Sequence, residues 1–203
     1  MKKKMTVATL MSGLSLFAAG PMASANESGG LFVEPAVIYQ NTDNTLSAPI
    51  AGSSDGTSSG LGIGARIGLH ASEVFFLAAD IRYARPEFKN DFLSYQADGS
   101  AYSVGPTVGA QMPVVGLRVW GTYVATGEFN PDASNGVDYK FSDLTGYRAG
   151  AGFRIMAASV NLEYQELTYN KTDVSAIGGT ASSDDVDLKD KGFSLSASFP
   201  IEL

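Results

Sequence analysis

The chain is 203 residues long, 44% hydrophobic, 10% aromatic and only 17% charged, with 23 glycines, no cysteine, one histidine and a formal net charge of -7. A hydrophobic fraction this high excludes a disordered chain, and a charged fraction below the roughly 25% of an average soluble domain points to contact with something other than water. The absence of cysteine excludes disulfides, thiolate nucleophiles and cysteine-based metal or iron–sulfur sites, and 21 acidic against 14 basic residues speak against nucleic acid as a partner.

Residues 1–25 form the first element. Lys2, Lys3 and Lys4 precede an apolar run from Met5 to Ala19, and Pro21 and Ala23-Ser24-Ala25 close it. This is the pattern of a secretory signal with an A-x-A cleavage site. Ser12, Gly13, Ser15 and Gly20 leave the run too short for a transmembrane helix, which needs about twenty apolar residues. Removing the segment takes three lysines and no acid, so a mature chain from Asn26 carries 11 basic and 21 acidic groups, a net of -10. No lipobox cysteine follows, which leaves no site for a lipid anchor. The expected organisation is a signal over 1–25 and one domain over 26–203.

Beyond residue 25 no stretch has apolar residues at helical spacing, and the recurring pattern has a period of two. In the first strand Leu31, Val33, Val37 and Tyr39 alternate with Glu34, Ala36 and Gln40. The second is clearer: Leu61, Ile63, Ala65, Ile67 and Leu69 share one face, and Gly62, Gly64, Arg66 and Gly68 the other. Phe75, Leu77, Ala79, Ile81 and Tyr83 then oppose Asp80 and Arg82. Strands follow at about 101–111, 114–125, 143–154 and 157–168. The last places Phe193, Leu195, Ala197, Phe199, Ile201 and Leu203 against Gly192, Ser194, Ser196, Ser198 and Glu202. Eight strands of about ten residues each are long enough to cross a bilayer at a tilt.

The connections alternate in length. Tight links fall near His70 to Glu73, at Met112-Pro113 and at Ile155-Met156, whereas 41–59, 86–100, 126–140 and 170–190 read as long polar loops. Odd-numbered strands therefore begin near 31, 74, 114 and 157, which is a hairpin repeat without a recurring motif.

Alternation alone leaves open whether the apolar face lines a soluble barrel or meets lipid. Three features favour lipid outside. The polar face carries Gly62, Gly64, Gly68, Gly105, Gly109, Gly116, Gly146, Gly150 and Gly152, which suit the narrow inside of an eight-stranded barrel. Aromatics on the apolar face gather at strand ends: Tyr39, Tyr83, Tyr102, Tyr123 and Tyr164 toward the long loops, Phe75, Phe153 and Phe199 toward the short turns. Interfacial girdles have this distribution. No lysine lies in the strand cores, and Arg66, Arg82, Arg118 and Arg148 all fall on the glycine face; each would cost about 2–4 kcal/mol at the bilayer midplane. The expected fold is an all-β, eight-stranded antiparallel up-and-down transmembrane β-barrel.

The pattern over 31–203 resembles the small outer-membrane β-barrels of Gram-negative bacteria, of the outer membrane protein X, A and W types. Its most specific piece is the last strand. The resemblance implies that Phe193, Leu195, Phe199, Ile201 and Leu203 form the carboxy-terminal signal read by the outer-membrane assembly machinery, although here the terminal residue is Leu203, with the aromatic Phe199 four back. It also implies an outer-membrane location, with short turns in the periplasm and long loops outside. Pro35 and Pro106 each remove a ladder donor, which a closed barrel accepts only at a bulge or strand end.

Glu34, Arg66, Arg118, Asn161 and Glu163 fall at similar heights on the polar face, with Asp80, Arg82 and Arg148 slightly above. Complementary charges at shared depth are what a plugged interior needs, because buried ions are tolerated only when paired. A gated polar pathway is the functional alternative. Trp120 points inward by the same alternation, with its indole N–H expected to donate to a neighbour.

Barrel enzymes that this family resembles place a His with Ser, Asp or Glu toward the exterior. His70, near Ser72 and Glu73, falls at the opposite rim as an expected surface turn residue, beyond reach of an outer-leaflet substrate. No catalytic group is expected. The loops carry -2, -2, -2 and -3 charges. Asp184, Asp185, Asp187 and Asp190 are the densest group, and divalent-cation bridging to lipopolysaccharide phosphates is weighed against simple solvation. No metal site or cofactor is assigned, and the partners expected are outer-membrane lipid, lipopolysaccharide and the assembly machinery, with any surface ligand unknown. The function expected is non-enzymatic, through envelope structure or loop-mediated interaction. A narrow channel for small or hydrophobic solutes, lipid A modification and a soluble periplasmic barrel are the rival readings.

Overall fold

The computed structural model describes residues 30–48, 52–90, 95–112, 114–134, 137–176, 179–183 and 186–203; the segment 1–25 read as a secretory signal and its junction at 26 lie outside them. The described residues form strands β1 (Leu31–Ala48), β2 (Gly52–His70), β3 (Phe75–Asn90), β4 (Tyr95–Met112), β5 (Leu117–Val124), β6 (Thr126–Pro131), β7 (Val137–Ile155), β8 (Ala158–Ala176), β9 (Gly179–Ser183), β10 (Asp187–Ser198) and β11 (Ile201–Glu202). β6 prolongs β5, β11 prolongs β10, and β9 folds back on the end of β8, so the wall has eight staves. Every pairing is antiparallel. β1 pairs with β2 on one side and with β10 and β11 on the other, and this last ladder closes the sheet into a barrel.

Closure satisfies both edges of every stave, as hydrocarbon requires. The alternation then resolves into an outside and an inside. Leu61 and Ile63 are 56% and 62% exposed, whereas Arg66, on the opposite face of the same strand, is 6% exposed. The apolar side is outermost and the arginine-bearing side faces the axis, which excludes a barrel with an apolar hollow and its guanidiniums in solvent.

Three expectations change. The segments 41–59, 86–100, 126–140 and 170–190 are not mainly loops. β1 and β2 continue their ladder up to Ala48↔Gly52, and β7 and β8 theirs up to Val137↔Ala176. Above the lipid-facing band both faces are polar or mixed, so the period-two contrast that marks a strand disappears although the ladder continues. The strands are thus 16 to 19 residues long in β1, β2, β3, β4, β7 and β8 rather than about ten. Finally, β5 starts at Leu117 instead of 114: Val115 and Gly116 N–H both donate to Met112 O, and Gly116, at φ 77°, belongs to that turn and not to a strand face.

Both prolines interrupt their ladders. Pro35 in β1 lies across from Phe199, whose N–H donates to Pro35 O at 2.9 Å, and Pro200 across from Glu34, between the pairs Ala36↔Ser198 and Val33↔Ile201; neither proline has an N–H to give. Pro106 sits at a bulge: β4 pairs Thr107↔Thr122 and Val104↔Thr126, so residues 105–106 face 123–125. From this bulge upward the inward positions step by one. Val124 and Phe129 are both buried on the same stave, and β7 follows with Leu144 and Phe141, the step lying at Asp143 with φ 57°. Asn170 holds it by donating to Asp143 O at 2.8 Å.

Candidate functional site

The inward side chains fill the lumen in storeys. At the lower, short-turn end Phe32, Phe76 and Trp120 pack together, with Phe32 and Phe76 edge to face at 5.8 Å. His70 joins them. It is buried, its ring 4.8 Å from Phe32, with Nε2 3.3 Å from Glu202 Oε1 and Nδ1 3.4 Å from Gln111 Nε2. His70 is therefore not the surface turn residue that its place in the sequence suggests. It is the last residue of β2 and continues the inward series of Arg66 and Gly68.

Above this floor lies a layer of charge. Arg118 donates Nη1 to Glu34 Oε1 at 2.8 Å and Nη2 to Oε2 at 2.9 Å, and Ser198 Oγ donates to Oε1 at 2.6 Å. Arg66 donates Nε to Asp80 Oδ2 at 3.1 Å and Nη2 to Glu163 Oε2 at 3.4 Å, with Nη1 4.0 Å from Glu34. Arg82 donates Nε to Asp80 Oδ1 at 2.7 Å and Nη2 to Glu163 at 2.8 and 2.9 Å. Trp120 Nε1 donates to Glu163 Oε2 at 3.0 Å, and the Arg66 guanidinium lies over its ring at 4.3 Å.

Arg148 is the least completed member. Its Nη1 is 3.5 Å from Asp80 Oδ1 without a hydrogen bond, while Nε and Nη2 donate to Gln165 and Ser103. Glu34, Arg66, Asp80, Arg82, Arg118, Arg148 and Glu163 are thus brought together and buried. Asn161, at the same height, stands outside the ionic contacts and donates to Ser196 and Ser198.

Four guanidiniums against three carboxylates leave one positive charge. The balancing acid is Asp190, which the sequence reading places in a solvated loop cluster. It is buried instead, accepting from Asn44 at 3.1 Å and from Gln165 at 3.0 Å, and Gln165 in turn accepts from Arg148. Asp190 lies above the lipid-facing band, between the exposed Lys189 and Lys191. Burial pushes its carboxyl up to about 6, against the opposing pull of Arg148 and the Gln165 and Asn44 hydrogen bonds. Asp184 and Asp185 lie outside the described residues, and among the described residues no three His, Asp or Glu side chains converge as a metal site would need.

A roof of apolar side chains completes the filling, and sequence reasoning missed it. Phe88, Val124, Phe129, Phe141, Leu144, Leu167, Tyr169 and Leu188 form one buried cluster at the upper end. Phe129 and Phe141 stack at 5.9 Å. Phe88 could have been found, since it continues the inward series of Asp80, Arg82 and Ala84; Phe129 and Phe141 could not, because the register step reverses their parity. Small cavities remain among the described residues. One of about 10 Å³ adjoins Glu34, Arg66 and Glu163, and one of about 30 Å³ adjoins Arg148, Gln165, Tyr169 and Asp190; Arg82 borders both. Such volumes hold a water or two.

Outside, Tyr39, Tyr83, Tyr102 and Tyr123 are exposed and Tyr164 half-buried toward the upper end, with Phe75 and Phe153 exposed and Phe199 half-buried toward the lower. Tyr147, which the sequence reading left out, stands exposed beside them, and its hydroxyl donates to Glu166 at 2.8 Å. On the last stave Phe193, Leu195, Ile201 and Leu203 are exposed on the outer face.

No family model and no curated protein matches the sequence. Several solved structures are similar in shape. Ail, the attachment invasion locus protein of Yersinia pestis, is 12% identical over 86% of this chain and 100% of its own, with a TM-score of 0.47. OprG of Pseudomonas aeruginosa is 12% identical over 85% and 97%, with a TM-score of 0.47. The outer membrane protease OmpT of Escherichia coli is 7% identical over 90% and 100%, with a TM-score of 0.48. The closed antiparallel barrel of eight staves rests on the chain's own ladders. At these identities and TM-scores the likeness carries no role over to this chain, and activity has to be argued from the site.

Proposed function

We propose that this barrel is an integral outer-membrane protein that works without catalysis, its lumen closed by the charge layer and its extracellular hairpins carrying the contact surface. The observation that carries the reading is the saturation of the lumen: Glu34, Asp80 and Glu163 are each held by arginine, and the space left beside them is about 10 Å³. Pairing of this density supports a plug better than a path, since an ion crossing it would have to break several buried pairs. His70, the single histidine, is enclosed at the lower end with Glu202 and Gln111, away from the exterior, which supports a non-enzymatic role. The exposed apolar outer face supports lipid and lipopolysaccharide as surroundings, and the exposed Phe193, Leu195, Ile201 and Leu203 with Phe199 suit a terminal signal for the assembly machinery.

A planar-bilayer recording tests the closed lumen: the purified full barrel gives no stepwise current. A second reading, a narrow channel, is favoured by the two cavities that meet at Arg82. It requires stepwise currents that disappear or change selectivity in Arg66 or Glu163 variants.

A further inference from the structure

The lower rim of the barrel is uneven in a way that the charged lumen does not explain. On one side the β2–β3 turn carries Ser72 and Glu73, and Ser72 Oγ accepts from the Val74 and Phe75 N–H groups at 3.2 and 3.1 Å. On the other side the turns are greasy. Val114 is 99% exposed and Val115 57% in the β4–β5 turn, and Met156 is 86% exposed in the β7–β8 turn. These two turns are neighbours, because β5 pairs with β7 and Arg154 N donates to Gly116 O at 2.8 Å. Together they make one apolar lip continuous with Leu117 and Phe153 above. Exposed apolar tips of this kind mark a surface that meets something other than water.

The heights of the staves say what that is. In β1, β2, β3 and β7 the outward apolar band runs over eight steps, from Leu31 to Tyr39, Leu61 to Leu69, Phe75 to Tyr83 and Tyr147 to Ile155. At about 3.4 Å per step and a tilt of about 40°, eight steps rise about 21 Å, close to the band of about 25 Å that such barrels present to lipid. β5 offers only Leu117 to Tyr123 and β8 only Ala158 to Tyr164, six steps each, or about 16 Å. The two short staves are those entered from the two greasy turns. Counting down to Val115 and to Met156 restores eight steps on each. The nearest charge, Arg154, shares the lumen face of Gly152 by alternation and donates Nε to Met156 O at 3.3 Å.

We infer that the β4–β5 and β7–β8 turns are immersed among the acyl chains of the inner leaflet, so that the barrel sits deeper on the β4–β8 side than at Ser72. The occupant of the lip is phospholipid hydrocarbon, in continuity with the band above it. The inference rests on the reading that the barrel spans a membrane, and its test separates the two.

The chain has no cysteine of its own, so single-cysteine variants can be labelled without background. Val114→Cys, Met156→Cys, Ser72→Cys and Leu162→Cys, each carrying a bimane label, are refolded into phosphatidylcholine vesicles with or without brominated acyl chains. Bromolipid quenching at 114 and 156 is expected to reach about half or more of that at 162, with 72 near background, because depth sets contact with the bromines. Labels at 114 and 156 as unquenched as that at 72, beside a quenched 162, overturn the inference and leave the spanning barrel intact. An unquenched 162 overturns both. Disulfide-linked dimers of the unlabelled Val114→Cys variant under mild oxidant, beside a labelled 114 that stays unquenched while 162 is quenched, overturn it in favour of a second copy as the occupant.

Discussion

Arg118 on β5 grips Glu34 on β1 across the full width of the tube, through two nearly parallel hydrogen bonds of 2.8 and 2.9 Å. Such a fork between facing staves fixes their separation as well as neutralising both charges. Arg118→Met would leave Glu34 with Ser198 and with Arg66 at 4.0 Å. Breaking a buried pair from one side is expected to cost about 3–5 kcal/mol. Urea unfolding in vesicles, followed by Trp120 emission, should show that loss, with the Glu34→Gln/Arg118→Met double variant losing less than the two single variants together. A single variant as stable as the native chain would show that the fork contributes nothing.

Close packing of the interior makes a second expectation. A Cβ on Gly109 would stand 2.2 Å from Phe76 Cζ and 2.8 Å from Val119 O, whereas one on Gly121, on the outer face, meets nothing nearer than Arg148 O at 4.0 Å. Gly109→Ala should destabilise by about 1–3 kcal/mol through overpacking, and Gly121→Ala should be nearly silent in the same unfolding assay. Equal effects would mean that the ring of Phe76 moves aside freely.

The third concerns pH. In the unfolded chain the Asp190 carboxyl titrates near 3.8, and in the barrel near 6. The folded state thus binds this proton more tightly, so the cost of the buried charge is absent below 3.8, grows as pH rises toward 6, and is fully present above that. Asp190→Asn removes the titration. The native chain should lose stability relative to this variant between pH 4 and 7, as judged by the difference between their unfolding midpoints; a constant difference across that window would exclude the effect.

Fourth, the charge layer and the apolar roof close the lumen in series. Phe129→Ala with Phe141→Ala opens only the upper storey, at a stability cost of about 3–5 kcal/mol per ring, and should remain electrically silent. Adding Arg82→Ala removes the charged side chain that borders both cavities and should give the first stepwise currents in a planar bilayer. Currents from the double phenylalanine variant alone would mean that the roof is the sole barrier.

How far the sequence disclosed this barrel follows from where its two faces differ. Between Leu61 and Leu69 the outside is apolar and the inside small or charged, so the strand, its facing and the burial of Arg66 were all legible. Above the lipid the contrast fades. Thr42 and Asn44 point inward and Asn41 and Asp43 outward, yet all four are polar, and 41–48 therefore resembled a loop. Asp190 was misjudged for the same reason. Phe129 and Phe141 were hidden differently, since a change of parity within a stave leaves no trace in residue type. His70 needed only the parity of its own strand to be carried two residues beyond Gly68.

The register step at Ala125 and Asp143 gives three of the eight staves two separately indexed parts, while β1, β3 and β10 keep a single inward series throughout. A one-residue insertion or deletion normally turns every side chain beyond it inside out. Here the staves β6, β7 and β8 already absorb such an offset, so the upper parts of these three could be rebuilt in length or sequence while their parts within the bilayer kept their own inward series undisturbed.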